Sequence, residues 1–569
     1  MTRQNNNKAN SDSNSELPSS EDIELIVETS WEVCNKIGGI YAVLSTKASC
    51  LIDKFGGKMV FIGPDVWTDN NPSPYFKEKK SILKMASYKL KLPYGITIRT
   101  GNWLIPGSPQ VILVNPGDVA QNLDTIYAEM WEKYGVDSLH AYGDYNESCI
   151  FSVAASIVID HLAKYLKVTE SKVVAHFNEW TTGMGLLNTQ INMPGAATIF
   201  TTHATSIGRS ICGNGKPLYD YFHNYNGDQM ATELNMQSKH SLEKAAAHAA
   251  DCFTTVSKVT ARECEQLLDI NPQVVTPNGF EPDFVPKTNK YHKLQKEGRR
   301  KLISIASALT GKKFNEDIFI MATSGRNEYR NKGIDLFLDS IVRMEEMMPE
   351  NAEALAFILV PAWVKEPAGN LLMTLDFSGT DDSAPDFLTH RLYNEDYDMV
   401  CCRIRELRAE GRFSKIHVIY VPSYLDGNDG ILNISYYDLL PAIDLTIFPS
   451  YYEPWGYTPM ESTAFGVPTV TTDKAGFGQW VLDNFRNGVS QCGVYVVPRS
   501  DSNYFDSREN IACAAYEYSQ TNPVVRSAAR HASFLTAEKA NWTFFIHYYN
   551  EAFEKALSRS TERNNKNRK

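Results

Sequence analysis

Short runs of β-branched residues that alternate with helical patterns constrain this chain more than any other feature of its sequence. In the first half the runs are ELIVET, KMVFIG, QVILVN, KVVAHF, ATIFTT, CFTTVS and QVVTPNG. The pattern pauses in a charged helical stretch near residues 286–312, then resumes with DIFIMATSG, ALAFILVPA, KIHVIYVP, LTIFPS, PTVTT and VYVVP. Such alternation predicts parallel sheets with crossover helices. We therefore expect an α/β protein with two doubly wound, Rossmann-like domains.

The length of the chain agrees with two domains, because 569 residues are too many for one compact core. We expect an N-terminal domain over residues 23–285 and a C-terminal domain over 286–530. An amphipathic pattern over 531–558 predicts a helix that packs back toward the N-terminal domain. The polar ends, residues 1–22 and 559–569, predict disordered tails. Ligands bind at the carboxyl ends of parallel strands, so the cleft between the domains is the expected site.

Composition excludes several classes of function. A net charge of -11 argues against a broad nucleic-acid footprint, which needs many Lys and Arg on one face. Ten cysteines without a CxxC pair indicate neither a disulfide scaffold nor a zinc module. The polar N-terminus and the absence of a run of about 18 apolar residues predict no signal peptide and no membrane span. We therefore expect a cytoplasmic protein that binds neither nucleic acid nor membrane.

The segment FPSYYEPWGYTPMESTAFG, residues 448–466, is the most informative motif. It begins where a predicted strand ends and continues into a predicted helix, in which Thr458 and Glu461 fit a capping box. Free N–H groups at the start of that helix predict an anion site. A second anion site is predicted at VTTDKAGFGQW, where Gly476 and Gly478 leave room for a phosphate or a sugar beside the backbone.

Two carboxylates frame the turn of this motif. Glu461 lies in the first helical turn, where capping alone can explain it. Glu453 follows the strand directly, in an aromatic segment where a carboxylate can lie beside a sugar. Glu453 is therefore the stronger catalytic candidate.

The motif YYEPWGYTPMES resembles the Glu-x7-Glu motif of retaining GT-B glycosyltransferases, and specifically the glycogen synthase family of the animal and fungal type. Seven further blocks resemble that family in the same order, so that the resemblance covers residues from about 25 to 555: ETSWEVCNKIGGIYAVLSTKA, FIGPDVW, AHFNEW, TTHATSIGR, AADCFTTVSKVT, VTPNGF and GRNEYRNKGID. The resemblance implies a GT-B fold with a central cleft. It also implies transfer of glucose from UDP-glucose, with retention, to the 4-hydroxyl at the non-reducing end of an α-1,4-glucan.

The resemblance also assigns roles to individual residues. Glu453, Arg326, Lys332 and His203 are the expected catalytic residues: the two cations would contact the donor phosphates and His203 the transferred glucose. Glu179 lies on the acceptor side, next to Asn178, where the family usually has histidine. The expected donor-binding residues are Lys36, Gly38, Gly39, Arg209, Tyr457, Thr458, Glu461 and Gly476.

The mechanism that these residues suggest needs no metal or other cofactor, because fixed cations can neutralise a departing diphosphate. The one Asp-x-Asp sequence, Asp396 to Asp398, lies in a polar stretch and is interpreted as solvated. Two domains with a site between them imply closure, with a hinge near Asn278 and Gly279.

Several features depart from the animal and fungal pattern. The family's arginine-rich helix is represented by Arg526 and Arg530 alone, which predicts weak or absent activation by glucose 6-phosphate. Long terminal extensions are missing, and residues 365–415 are short, as in a compact bacterial member. The charged stretch 286–312 lies where the family builds oligomer contacts, so the resemblance implies a homo-oligomer.

Two alternatives stay open at this point. The first is a related transferase of the same fold, such as a starch-synthase-like enzyme that uses ADP-glucose or a sucrose-synthase-like enzyme. The second is a catalytically silent carbohydrate-binding or scaffold protein. That second alternative predicts the loss of a group among Glu453, Arg326 and Lys332, and all three are present.

Overall fold

The computed structural model describes residues 20–68, 70–83, 85–86, 89–377 and 386–567. The expected N-terminal tail lies outside this part except for Ser20–Asp22, which form a 3-10 turn with Ser20 buried. The described chain contains two large sheets, one on each side of residue 285.

The N-terminal domain is built on a nine-stranded sheet of order β11-β10-β9-β8-β1-β2-β7-β6-β3, which is parallel from β11 to β7. Strands such as β1 are buried along their whole length because helices cover both faces. Its strands, with the hairpin β4–β5, are β1 Leu25–Thr29, β2 Met59–Pro64, β3 Phe76–Glu78, β4 Ser81–Ile82, β5 Met85–Ala86, β6 Thr97–Trp103, β7 Gln110–Asn115, β8 Val173–Asn178, β9 Ala197–Thr202, β10 Cys252–Thr255 and β11 Val274–Val275.

Eight helices belong to this described domain: α1 Gly39–Phe55, α2 Leu123–Tyr134, α3 Tyr145–Leu166, α4 Trp180–Asn192, α5 Ser206–Gly213, α6 Gly227–Glu233, α7 Gln237–Ala249 and α8 Lys258–Leu267. Helix α3 is the one helix of the described chain that is long and apolar enough to cross a membrane. Thirteen of its residues are buried, and many of them belong to the core against the sheet and α4.

The C-terminal domain has a six-stranded parallel sheet of order β16-β13-β12-β17-β18-β19 and a small antiparallel pair, β14–β15. The strands are β12 Phe319–Ser324, β13 Ala354–Leu359, β14 Val364–Pro367, β15 His390–Leu392, β16 Ile416–Val421, β17 Leu445–Ile447, β18 Thr469–Thr472 and β19 Val494–Val497. The helices are α9 Thr288–Thr310, α10 Ile334–Met347, α11 Gly369–Phe377, α12 Met399–Ala409, α13 Tyr436–Leu439, α14 Tyr457–Ala464, α15 Gly476–Asn484, α16 Val489–Cys492 and α17 Tyr504–Ser519.

Two helices end the chain, α18 Pro523–Lys539 and α19 Trp542–Asn567, in place of the single helix expected over 531–558. Helix α19 returns to the N-terminal domain, where Phe553 and Leu557 join its core. The prediction of a disordered tail over 559–569 is wrong for residues 559–567, because the helix continues through them. Its last turns are anchored by Arg563, which donates to Asp251 and to the carbonyls of residues 194 and 196.

The chain crosses between the domains twice, and the two crossings are hydrogen bonded to each other. The Phe280 N–H donates to the Ala540 carbonyl at 2.9 Å, in a bridge that pairs Phe280 with Asn541. A Cβ atom on Gly279 would lie 2.7 Å from the backbone nitrogen of Trp542, so glycine is needed for the close approach. The predicted hinge near Asn278 and Gly279 therefore lies at this paired crossing.

Candidate active site

The cleft is lined by segments that follow the carboxyl ends of parallel strands in both sheets. In the N-terminal domain these segments follow β1, β8 and β9, and they carry Lys36, Glu179 and His203. In the C-terminal domain they follow β12 and β17, and they carry Arg326, Lys332 and Glu453. Parallel strands place their carboxyl ends on one edge, so residues far apart in sequence meet there.

Glu453 forms an ion pair with Lys332, whose ammonium donates to Oε2 of the carboxylate. The Lys332 and Glu453 side chains are only 15% and 12% exposed, so water screens this pair weakly. The Asn331 carbonyl accepts the N–H groups of both Tyr451 and Tyr452, and this holds the two loops together. The structure therefore brings together the predicted carboxylate and one of its predicted cations.

The other two predicted cations of this region lie among carboxylates. Arg326 is 57% exposed and pairs with Glu328 at 3.0 Å. Burial opposes the charge of Arg209, but Tyr452, Glu179, Glu328 and Glu453 together raise its pKa. Arg209 therefore faces the same polar space as the Lys332–Glu453 pair.

Helix α14 starts differently from the prediction. It begins at Tyr457 after Gly456, whose φ of 101° favours glycine, and no side chain caps it. The predicted capping box of Thr458 and Glu461 is therefore wrong. Glu461 accepts a hydrogen bond from the Tyr437 hydroxyl at 2.7 Å, and burial raises its pKa to about 7 although Lys36 opposes the shift. The uncapped start of α14 keeps its N–H groups available for an anion.

Three further residues near this turn do not fit the contacts predicted for them with a donor phosphate or sugar. The Tyr457 hydroxyl is buried, and burial raises its pKa, with Tyr549 of α19 as the next cause. A Cβ on Gly476 would lie 2.3 Å from the Pro454 carbonyl oxygen and 2.6 Å from Cβ of Ser257, so protein fills the space expected for a phosphate. A Cβ atom on Gly478 would lie 2.2 Å from the Thr472 carbonyl oxygen.

The second predicted anion site, at the start of α15, loses two of its N–H donors to carbonyl groups of the protein. The Gly476 N–H donates to the Glu453 carbonyl at 3.1 Å, and the Phe477 N–H donates to the Trp455 carbonyl at 2.7 Å. The first two N–H groups of α15 are thus already used. They fix the backbone of the loop that carries Glu453.

The loop after β1 is organised by Glu32, a residue that the sequence did not single out. Its Oε2 accepts from the N–H of Gly38 at 2.7 Å and of Tyr41 at 2.9 Å, at the start of α1. A Cβ on Gly38 would lie 3.1 Å from Glu32, whereas one on Gly39 would meet nothing within 4 Å. The exposed Lys36 extends from this loop, and its charge opposes the rise that burial causes in the pKa of Glu461 across the cleft.

His203 is buried and is held by Asn178, the residue that precedes Glu179. The Asn178 amide nitrogen donates to Glu28 at 3.1 Å and to the Thr29 carbonyl at 3.3 Å, which leaves its oxygen as an acceptor. Nε2 of His203 lies 3.0 Å from that oxygen and therefore carries the ring proton. Burial lowers the pKa of His203, so the ring is neutral at pH 7.

Glu179 supports the loop that carries His203. Its Oε1 accepts from the N–H groups of His203 at 3.0 Å and Ala204 at 3.2 Å, and its own φ is 67°. Burial and the nearby Glu243 carboxylate raise the pKa of Glu179 to about 8. The structure thus gives Glu179 a role in shaping the loop, in addition to its predicted place on the acceptor side.

The two tyrosines before Glu453 join the domains. The Tyr452 hydroxyl donates to Glu263 of α8 at 3.0 Å, and the same carboxylate oxygen accepts from Thr205 at 2.8 Å. The Tyr451 hydroxyl donates to Asp501 and accepts from the Leu218 N–H at 2.9 Å. The loop that carries Glu453 is therefore fixed against the N-terminal domain.

Comparison with known proteins decides the family. A sequence model described as glycogen synthase matches residues 28–374 and 365–568. The chain belongs to the glycogen synthase family. It is 30% identical over 597 residues to the liver glycogen [starch] synthase of Homo sapiens, covering 94% of this chain and 84% of the relative. It is 27% identical over 603 residues to the glycogen [starch] synthase of Caenorhabditis elegans, covering 95% and 89%.

Solved structures show the same fold at low identity. The catalytic domain of starch synthase IV from Arabidopsis thaliana, bound to ADP and acarbose, superposes with a TM-score of 0.57 at 14% identity, covering 94% of this chain and 100% of that one. The α,α-trehalose 6-phosphate synthase of Burkholderia multivorans gives 0.51 at 11% identity, covering 94% and 98%. The predicted family and GT-B fold are confirmed, and the protein is a glycosyltransferase of the glycogen synthase family.

Proposed function

We propose that this glycogen synthase homologue transfers glucose from UDP-glucose, with retention of configuration, to the 4-hydroxyl at the non-reducing end of an α-1,4-glucan. The observation that carries the proposal is the weakly screened Lys332–Glu453 pair in a cleft that also holds Arg326, Arg209 and the neutral His203. These are the charges that cleavage of a sugar diphosphate requires.

The cations act on the leaving group. As the bond from the anomeric carbon to the phosphate oxygen breaks, negative charge grows on the diphosphate, and Arg326 and Lys332 stabilise it more in the transition state than in the ground state. Lys332 is close enough to Glu453 to remain its partner while it approaches a phosphate oxygen. We expect the uncapped N-terminus of α14 to add N–H donors to the same anion.

Retention follows if the acceptor attacks from the face that the diphosphate leaves. The acceptor 4-hydroxyl gives its proton to the departing phosphate oxygen, and its own oxygen forms the new bond to the anomeric carbon. Glu453 stabilises the positive charge on the sugar during this exchange and forms no covalent bond. Its position near both Lys332 and the N-terminus of α14 suits this electrostatic role.

Closure of the cleft keeps water from competing with the acceptor. The bonds from Tyr451 and Tyr452 to the N-terminal domain, together with the paired crossing at Phe280 and Asn541, describe a closed arrangement. Opening at the crossing would break the tyrosine contacts and separate Glu453 from His203. Donor and acceptor should therefore stabilise this arrangement.

UDP-glucose is proposed over ADP-glucose because the resemblance that implies this donor is to the animal and fungal type of the family, and animal and fungal relatives match at 27% to 30% identity. We also propose that no metal is needed. The cations of the cleft supply the positive charge that the departing diphosphate needs. A cytoplasmic location and a homo-oligomeric state remain proposals.

One assay tests these points together. Purified protein is incubated with glycogen and either UDP-glucose or ADP-glucose, with and without EDTA, and nucleotide release and chain growth are followed. We expect chain growth with UDP-glucose that EDTA leaves unchanged, and an α-linked product by NMR. Chain growth with ADP-glucose alone would overturn the donor assignment, and a β-linked product would overturn retention.

A further inference from the structure

A buried ion pair in the N-terminal domain is connected to His203 by hydrogen bonds. Lys47 of α1 and Glu28 of β1 are each 1% exposed, and the Lys47 ammonium lies 2.6 Å from Oε1 of Glu28. Tyr549 of α19 covers the ammonium, with its ring centroid 4.4 Å away. Removing two charges from water costs free energy that their attraction often does not repay. The pair is therefore weak evidence for a role in stability alone.

Glu28 is an ionised carboxylate, which can only accept hydrogen bonds. Burial opposes its charge, but Lys47 and its other polar neighbours lower the pKa of Glu28. Nδ1 of His176 lies 3.5 Å from the same carboxylate oxygen. Burial lowers the pKa of His176 to about 4, so that ring is neutral at pH 7. The carboxylate therefore favours donor groups on the side chains that face it.

Asn178 links this carboxylate to His203. Its amide nitrogen donates to Glu28 at 3.1 Å and to the Thr29 carbonyl at 3.3 Å, so its amide oxygen faces Nε2 of His203 at 3.0 Å. A hydrogen bond to an ionised group is about twice as strong as one between neutral groups, so Glu28 orients the amide more strongly than the Thr29 carbonyl does. The amide oxygen can only accept, and this leaves Nδ1 of His203 without a proton.

We propose that Glu28 is a positioning residue for the transfer reaction: through Asn178 it keeps the ring proton of His203 on Nε2, so that Nδ1 accepts a hydrogen bond from a hydroxyl of the donor glucose. In the other tautomer Nδ1 would carry the proton, and the same hydroxyl could not donate to it. Lys47 supports this arrangement by keeping Glu28 charged. The contact with glucose rests on the proposed function, whereas the tautomer is a property of the free protein.

The tautomer of His203 is measured by ¹⁵N NMR, without substrate, on protein labelled at its histidines. His203→Gln identifies the signal among the twelve histidines, and the chemical shift distinguishes a protonated ring nitrogen from an unprotonated one. The test variant is Glu28→Gln/Lys47→Met, which removes both charges and leaves no buried ion unpaired. We expect a single Nε2–H tautomer in wild type and a mixture in the variant. Its kcat should fall about tenfold while its affinity for UDP, measured by calorimetry, stays unchanged.

Exchanging the two polar groups should rescue the tautomer. Glu28→Gln/Asn178→Asp keeps one carboxylate and one amide, and the carboxylate introduced at position 178 can only accept from Nε2 of His203. We expect this variant to restore the Nε2–H tautomer and most of the lost kcat. The matched control is Asn188→Leu, which removes another buried asparagine, bonded to Ser156 at 2.7 Å on α4. It should lower stability without changing the tautomer or kcat.

The tautomer and the rate together decide the outcome. A single Nε2–H tautomer in Glu28→Gln/Lys47→Met would overturn the proposal, and any fall in kcat would then reflect altered packing. A mixture of tautomers with wild-type kcat would also overturn it, because the tautomer would not matter to the reaction. If wild type showed the Nε2–H tautomer but transferred no glucose from a nucleotide sugar, the proposed function alone would be overturned.

Discussion

Glu179 and Glu453 occupy similar places in the two halves of the cleft and are used differently. Each lies in the segment that follows a parallel strand of its domain. Glu179 accepts two N–H groups from the neighbouring loop, and burial with Glu243 raises its pKa to about 8. The Glu453 carboxylate instead accepts from the side-chain ammonium of Lys332.

The comparison shows that position after a strand does not by itself make a carboxylate catalytic. Glu179 uses its oxygen to shape its own domain, so that His203 is held in place. Glu453 is supported through its backbone, by α15 and by Asn331 next to its loop, so its carboxylate has the Lys332 ammonium as its partner and holds no backbone N–H group. Changes at these two carboxylates and at the contacts around them test this difference.

The largest effect is expected for Glu453→Gln. This variant keeps the size of the side chain and removes its charge, so kcat should fall by about 10²-fold or more. Donor affinity, measured by calorimetry with UDP, should change little, because Lys332 remains available to the phosphates. Glu179→Gln is the matched control. Wild-type kcat in Glu453→Gln would remove Glu453 from the chemistry.

Glu179→Ala should act through stability. It leaves the N–H groups of His203 and Ala204 without their acceptor, at a cost of about 1 to 3 kcal/mol in the free energy of unfolding. Urea titration measures this cost. Glu179→Gln keeps an oxygen acceptor and should retain most of the activity. If Glu179→Gln were as inactive as Glu453→Gln, the charge of Glu179 would belong to the reaction.

The pH dependence of stability should depend on Glu263, whose pKa is raised to about 7 by burial. A carboxyl with a raised folded-state pKa stabilises the fold below its ordinary pKa of 4.5 and loses that contribution as pH rises through 7. We expect the contribution of Glu263 to the free energy of unfolding to fall by roughly 1 to 3 kcal/mol between pH 5 and 8. Glu263→Gln should flatten this fall in part, since Glu179 and Glu461 have raised pKa values too. An unchanged slope would contradict the assignment.

Tyr452→Phe should weaken closure by about 1 kcal/mol, the usual net value of one hydrogen bond. The fraction of donor lost to water, measured as free glucose relative to chain growth, should increase. Tyr142→Phe, which removes a hydroxyl that is bonded to Met236 on the surface, is the control and should behave as wild type. If the ratio of free glucose to chain growth were equal in wild type and Tyr452→Phe, this tyrosine would have no part in keeping water out of the cleft.

The smallest effect is expected on adding glucose 6-phosphate, which should raise the rate less than about twofold. Arg526 already donates to the Ser519 carbonyl at 2.6 Å, and Arg530 donates to the Tyr291 hydroxyl and to the Gly466 carbonyl, both at 3.3 Å. These bonds hold both guanidinium groups against protein acceptors, and two arginines are few for a phosphate site. A large activation would show that this anion binds elsewhere.

The sequence predicted the fold well because the fold depends on local patterns. Buried strands such as β12 and β16 stand out as continuous β-branched and apolar runs. The tail prediction failed for the opposite reason. Residues 559–567 look solvated by composition, and they are ordered by contacts of Arg563 with Asp251 and with two carbonyl groups that are distant in the sequence.

The sequence predicted those site residues that a local motif marks, and it missed the contacts between residues that are far apart in the chain. Glu453 and Lys332 came from a motif and a family resemblance, and the structure brings them together. The supporting residues could not be found this way. Asn178 reaches Glu28 across 150 positions, and Tyr452 reaches Glu263 across 189, so no local pattern marks either contact.

The return of α19 to the N-terminal domain makes that domain discontinuous along the chain. Lys47 is 1% exposed, lies 2.6 Å from Glu28 and has its ammonium 4.4 Å from the Tyr549 ring. During synthesis, residues up to 285 emerge long before Tyr549. Lys47 and Glu28 therefore stay exposed to water until α19 has been made and packs over them. The first domain to be translated is thus the last to be completed. In the sequence, the second domain is an insertion between the two parts of the first.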